Sequence, residues 1–115
     1  MNIYKQRDII LITFPFSDLT GQKVRPVLIL SNDTYNQQSL DLLVCGITAN
    51  IKSVPYSIII DVTDVEQTGT LRNKSKIRID TIASLEQSLV RKKIARLKIT
   101  VFKQVIDILN DLTKY

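Results

Sequence analysis

An arginine stands where an apolar strand should begin. In Lys23-Val24-Arg25-Pro26-Val27-Leu28-Ile29-Leu30 the guanidinium of Arg25 enters a run of aliphatic residues, and the proline after it restricts Arg25 to extended backbone. A guanidinium so placed needs an anion or a carbonyl to face. The plainer explanation is an arginine snorkelling at a sheet rim or paired with a nearby carboxylate; the alternative is a bound phosphate, which the planar fork fits well. No histidine occurs in the chain, so histidine-pair ribonuclease chemistry, Ser/His/Asp triads and histidine metal sites are excluded. Cys45 is the single cysteine; it lies in the apolar run Leu42-Leu43-Val44-Cys45 and reads as a small buried hydrophobe. Any catalysis therefore falls to Arg, Lys, Asp, Glu, Thr, Ser or Tyr, and no ligand cluster for a metal is evident.

Charge favours a polyanion as partner. The chain has 16 basic and 11 acidic residues, a formal net charge of +5. Between Arg72 and Lys98 stand Arg72, Lys74, Lys76, Arg78, Arg91, Lys92, Lys93, Arg96 and Lys98 against Asp80 and Glu86 alone, a local excess that would release counterions from nucleic acid. Solvated strand faces are the ordinary account of such a cluster.

The elements that must position these groups are mostly strands. A chain of 115 residues with 44% hydrophobic and 23% charged residues fits one globular domain, residues 1–115. The β-branched run Asp8 to Phe14 ends at Pro15. The next, Arg25 to Ser31, lacks polar alternation between Val27 and Leu30, as expected of a strand covered on both faces. Ser31-Asn32-Asp33 has turn chemistry. Further strands are expected at Leu40 to Thr48, Tyr56 to Val62 and Lys76 to Thr81, with a short one near Ile94 to Leu97. Six strands in so small a domain suggest a barrel. From Ile99 to Leu112 the period changes: Val101, Val105, Ile108 and Leu112, with Phe102, Ile106 and Leu109, form a helical stripe, and Lys103, Asp107 and Asp111 point away. Thr100 is the expected N-cap. The polar start Met1 to Asp8 does not read as a secretory signal, and no apolar run approaches the ~20 residues that span a bilayer. A soluble protein in the reducing cytoplasm, away from membranes, is expected.

Several segments, in order, resemble the MazF/PemK toxin family. Asp8-Ile9-Ile10-Leu11, then Phe14-Pro15-Phe16-Ser17-Asp18-Leu19-Thr20-Gly21, is similar to its first strand and following loop. Arg25-Pro26-Val27-Leu28-Ile29-Leu30-Ser31 resembles its "RPxLVLS" strand, and Gly46-Ile47-Thr48-Ala49-Asn50 the "xxIT" end of its third. Gly69-Thr70-Leu71 through Ser75-Lys76-Ile77-Arg78-Ile79-Asp80 is similar to its "GL…S.vr.d" segment. Each piece is degenerate alone; the ordered set is more specific.

That resemblance implies an SH3-like small β-barrel with a C-terminal helix, of the MazF/PemK/CcdB type. It implies a homodimeric, cofactor-free endoribonuclease, neutralised by a cognate antitoxin, that cuts single-stranded RNA to 2′,3′-cyclic phosphate and 5′-hydroxyl ends. The family's catalytic arginine and threonine match Arg25 and Thr48; the second arginine and the acid of the PemK/Kid branch match Arg78 and Asp80. On a strand whose Ile77 and Ile79 face the core, Arg78 and Asp80 leave one polar face roughly 7 Å apart. They are either a proton acceptor beside a phosphate-holding guanidinium or an exposed ion pair of little consequence. The loop from Ser17 to Val24, with Lys23, and the basic Lys52, Lys74 and Lys76 are candidates to line an RNA groove; Phe16 and Tyr56 are candidate stacking platforms. Gln6-Arg7-Asp8 departs from the family, which usually has Gly-Asp, so a backbone approach that glycine allows is altered here. Other readings are a gyrase-poisoning toxin of the same fold and a nucleic-acid-binding module that cuts nothing.

Overall fold

A computed structural model describes residues 4–14, 23–66, 71 and 73–115. Phe16, the loop 17–22, the side chain of Lys23, Gly69, Thr70 and Arg72 lie outside the described residues. The elements in chain order are β1 (Asp8–Phe14), β2 (Lys23–Ile29), α1 (Asp33–Gln38), β3 (Asp41–Thr48), β4 (Ser57–Ile60), β5 (Val65–Glu66), β6 (Ser75–Glu86), β7 (Val90–Leu97) and α2 (Ile99–Leu112). The strands form one curled antiparallel sheet in the order β4-β6-β3-β2-β1-β7-β5, with α2 packed on it. Mostly β with a C-terminal helix, it is the small barrel-like fold expected.

The aliphatic runs Ile9 to Ile12 in β1 and Val27 to Ile29 in β2 have a direct structural cause: the curled sheet holds a core on each face. Ile9, Leu28, Leu30, Cys45, Ile47, Ile77 and Ile79 join Val101, Phe102 and Val105 of α2 in the first core. Ile10, Ile12, Val27, Ile29, Leu42 and Val44 form the second, against Ala83, Leu85 and Val90. From Val27 to Leu30 successive residues thus enter alternate cores, which leaves none of these four positions free to be polar.

Several elements differ from expectation. The sheet has seven strands among the described residues, because β5 pairs with the end of β7 (Val65↔Leu97); two residues are too few to show a period. β6 runs twelve residues, well past Thr81, and β7 begins at Val90 rather than near Ile94. Asn32, read as turn chemistry, caps α1, its side chain accepting from Tyr35 N–H at 2.8 Å. That short helix buries only Asn36 and so leaves no apolar stripe in the sequence. The stripe of α2 is as expected, with Val101, Phe102 and Val105 buried, but Thr100 is not its N-cap. Lys98 is, without a side-chain cap bond; its N–H donates to Asp64 O at 2.9 Å and its carbonyl accepts from Phe102 N–H at 2.9 Å. The chain turns straight out of β7, so the cap falls two residues early.

Arg7, where the family that the sequence resembles is expected to have glycine, stands at φ 79. Positive φ costs a non-glycine residue of order 1–2 kcal/mol. Backbone bonds hold it there: Arg7 N–H donates to Ile29 O at 3.1 Å and Leu97 N–H donates to Arg7 O at 2.9 Å. The side chain adds what glycine cannot, as Nη1 reaches Glu66 Oε2 and Leu97 O, each at 3.0 Å. Arg7 therefore keeps the glycine conformation and ties β1, β5 and β7 together, at the end of β1 remote from Arg25.

Candidate functional site

Where β3 leaves the second core, its apolar side chains run out. The register sets Val27 across from Gly46, Gly46 across from Arg78, and Thr48 across from Lys76. Arg25 lies two residues before Val27 on the same face, paired with Ile12 of β1. At this end the sheet face carries two arginines, a lysine, a threonine and a glycine in place of aliphatics. They line a cleft of about 320 Å³ together with Pro26, Asn50 and Thr81.

A bulge opens this cleft. Between Cys45↔Ile82 and Gly46↔Arg78 the register shifts, so that Ile79, Asp80 and Thr81 are interposed in β6 and the strand bends. A methyl group built on Gly46 would lie 3.3 Å from the Thr81 Cγ2 atom; glycine is what lets the bulge close over this floor.

The two arginines are in different states. Arg25 is exposed, and among the described residues its guanidinium has neither an ion pair nor a hydrogen bond. Arg78 is committed on one edge: Nε reaches Asp80 Oδ1 at 3.0 Å and Nη2 reaches Oδ2 at 3.1 Å. The hydrogen bonds from Arg78 hold the Asp80 carboxyl below its ordinary value, with help from Thr81 and against a smaller desolvation; Asp80 in turn raises Arg78. While so paired, Asp80 is a poorer proton acceptor than a free carboxylate. Only Arg78 of the pair lines the cleft.

Thr48 is half-buried. Its Oγ1 accepts from Asn50 N–H at 3.2 Å, and among the described residues its hydroxyl proton has no acceptor, which leaves it to donate into the cleft. Asn50 Oδ1 accepts from Lys52 N–H at 3.0 Å, and Lys52 O accepts from Lys76 Nζ at 2.8 Å. Lys76, expected on an open groove, is instead 3% exposed, because the segment after β3 lies against it. Lys52 and Lys74 are exposed and outside the cleft lining. Tyr56 is also outside it; 40% exposed, it sits at φ 57 beside Ser57, the residue paired with Arg78, and its carbonyl accepts from Ile79 N–H at 3.0 Å. Cys45, next to Gly46, is inert: burial pushes its thiol up to about 12.

Sequence reasoning missed Asn50 and Thr81. Asn50 closes the Gly46-to-Asn50 motif, a signal within reach; Thr81 enters the cleft only through the bulge, which sequence does not announce. Among the described residues no three His, Cys, Asp or Glu side chains gather to hold a metal, and no helix is long and apolar enough to cross a membrane.

A family model described as PemK-like, MazF-like toxin of type II toxin-antitoxin system matches residues 5–113. No curated protein matches the sequence. Among solved structures, MazE–MazF from Deinococcus radiodurans (Form-II) is similar at 19% identity and a TM-score of 0.79, covering 97% of this chain and 96% of that one. An endoribonuclease in complex with its cognate antitoxin, from a mycobacterial species, has 13% identity and a TM-score of 0.73, covering 94% and 92%. The Mycobacterium tuberculosis toxin MazF-mt6 has 18% identity and a TM-score of 0.74, covering 91% and 94%. At such identities the likeness is one of fold.

Proposed function

The chain belongs to the PemK-like, MazF-like toxin family of type II toxin-antitoxin systems, and on that premise we propose that it is a sequence-specific endoribonuclease, cutting single-stranded RNA without a metal at the cleft around Arg25. The observation that carries this reading is the Arg25 guanidinium, unneutralised among the described residues and facing the same cleft as Thr48 and Arg78. The endoribonucleases among proteins of this fold support the activity. The antitoxin complexes among them support neutralisation by a cognate antitoxin; action as a homodimer in the cytoplasm belongs to the same proposal.

In the proposed reaction the ribose 2′-oxygen attacks the adjacent phosphorus, the bond to the 5′-oxygen breaks, and the products are a 2′,3′-cyclic phosphate and a 5′-hydroxyl. Arg25 places its fork on the phosphate and stabilises the charge that develops on the phosphorane oxygens. The Thr48 hydroxyl donates to one of those oxygens. Arg78 faces a choice: an arriving phosphate competes with Asp80 for the guanidinium. As Arg78 turns to the phosphate, Asp80 regains the basicity that the pairing suppresses and accepts the 2′-hydroxyl proton. The leaving 5′-oxygen takes its proton from water in the open cleft, Asp80 gives up the proton it accepted to solvent, and both guanidinium groups stay protonated.

The test is incubation with a long, weakly structured RNA in excess EDTA, followed by mapping of the 5′ ends and their phosphorylation state. Discrete cuts bearing 5′-hydroxyls are expected. Intact RNA, from folded protein free of antitoxin, would sink the reading in favour of a gyrase-directed or binding-only protein.

A further inference from the structure

Lys76 is buried where the other cleft cations are not. It lines the cleft from β6, directly across from Thr48 of β3, and the one hydrogen bond of its side chain among the described residues runs from Nζ to Lys52 O at 2.8 Å. Among the described residues no carboxylate pairs with it. A carbonyl dipole orients an ammonium but does not cancel its charge, and lysines are almost never fully buried unless paired. The missing partner should therefore be an anion that enters the cleft, whose lining includes Lys76. Carrying the β2–β3 register on from Val27↔Gly46 sets Arg25 on the other side of Thr48. The hydroxyl thus lies between two cations, one on each neighbouring strand.

We propose that Lys76 is a phosphate-holding residue of the cleft, its ammonium aimed by the Lys52 carbonyl so that a nonbridging oxygen of the RNA backbone rests between it and Arg25. This deepens the endoribonuclease reading and rests on it. An ammonium has three donors, and Lys52 takes one. Because the stem is already fixed by burial, little rotamer entropy remains to be lost when the phosphate arrives. Lys74, two residues earlier and exposed, lacks this preorganisation and offers only diffuse attraction.

The test uses the full-length protein and an RNA carrying a 2′-deoxy sugar at the mapped cleavage nucleotide, so that binding is read without cutting. For Lys76→Met the slope of log K against log salt should become shallower by about 0.7, the share of one phosphate contact on a single strand. Cleavage of ordinary RNA should fall about 10- to 100-fold. Lys76→Arg should restore much of the slope, and Lys103→Met, on the exposed face of α2, should leave it unchanged. A folded Lys76→Met variant with wild-type slope and cleavage overturns the proposal while the endoribonuclease reading stands. Uncut RNA with wild-type protein overturns the reading itself. Should Lys76→Met fail to fold, the wild-type protein decides: titration with inorganic phosphate should shift the Lys76 ammonium nitrogen resonance saturably, and a resonance that does not move overturns the proposal.

Discussion

One face of the sheet behaves differently at its two ends. At one end Leu42 and Val44 of β3 meet Ala83 and Leu85 of β6 in a sealed apolar core. At the other, past the bulge, the same two strands present Gly46, Thr48, Lys76 and Arg78 to a solvent-filled cleft. The ladder is shared, so backbone geometry alone does not make the difference; the interposed residues 79–81 bend β6 away, and side-chain type does the rest. The sealed end contributes stability through burial. The open end keeps Arg25 exposed without an ion pair among the described residues and Lys76 buried with a carbonyl as its side-chain partner, a burial cost that a bound anion would offset.

This contrast can be broken at either end. The largest effect belongs to the sealed end: Leu42→Ala, at a side chain 1% exposed, should lose about 2–5 kcal/mol of unfolding free energy in a urea titration, while the protein that remains folded cuts RNA at its normal rate. At the open end Arg25→Ala should do the reverse. Its cleavage should fall about 10²- to 10³-fold, with stability within roughly 0.5 kcal/mol of wild type; a variant that cuts as well as wild type ends the proposed mechanism. Gly46→Ala touches both. The new methyl meets Thr81 at 3.3 Å, so a modest loss of stability, about 1 kcal/mol, should accompany a cleavage defect of about tenfold from displacement of the bulge.

The smallest effect is a pH dependence. Asp80 is held below its ordinary value of 3.8 by Arg78, so the pair stabilises the fold above that value and loses its contribution as pH falls through the lower, folded value. Melting curves of wild type and Asp80→Asn should differ slightly from pH 5 to 8 and converge in strong acid. Divergence toward acid would mean that the carboxyl is raised rather than lowered.

Much of the sealed end is legible in sequence, because aliphatic runs without polar interruption, such as Val27 to Leu30, say that both faces are covered, and the stripe of α2 says which side packs. The bulge is not legible: Ile79-Asp80-Thr81 reads as ordinary strand, and only the pairing with Cys45 and Gly46 reveals the interposition. β6 beyond Thr81 was missed for a related reason, since Ser84 and Glu86 look like a strand's end although they alternate with Ala83 and Leu85, which pack inward. In the cleft, Arg25 before Pro26 was conspicuous on physical grounds alone, whereas Thr48 drew attention through family resemblance. Lys74 and Lys76 are indistinguishable by residue type and spacing. One is exposed and the other buried because the segment carrying Lys52 comes from a different part of the chain.

The placement of β6 also orders events during synthesis. Arg25 and Thr48 leave the ribosome early, but the wall that carries Lys76, Arg78 and Thr81 belongs to a strand beginning at Ser75. That strand must pass back between β3 and β4 before the cleft exists, and long-range antiparallel pairing of this kind forms late. On the proposed ribonuclease function, a nascent chain whose β6 has not yet paired would lack the complete cleft needed to cut the message being read.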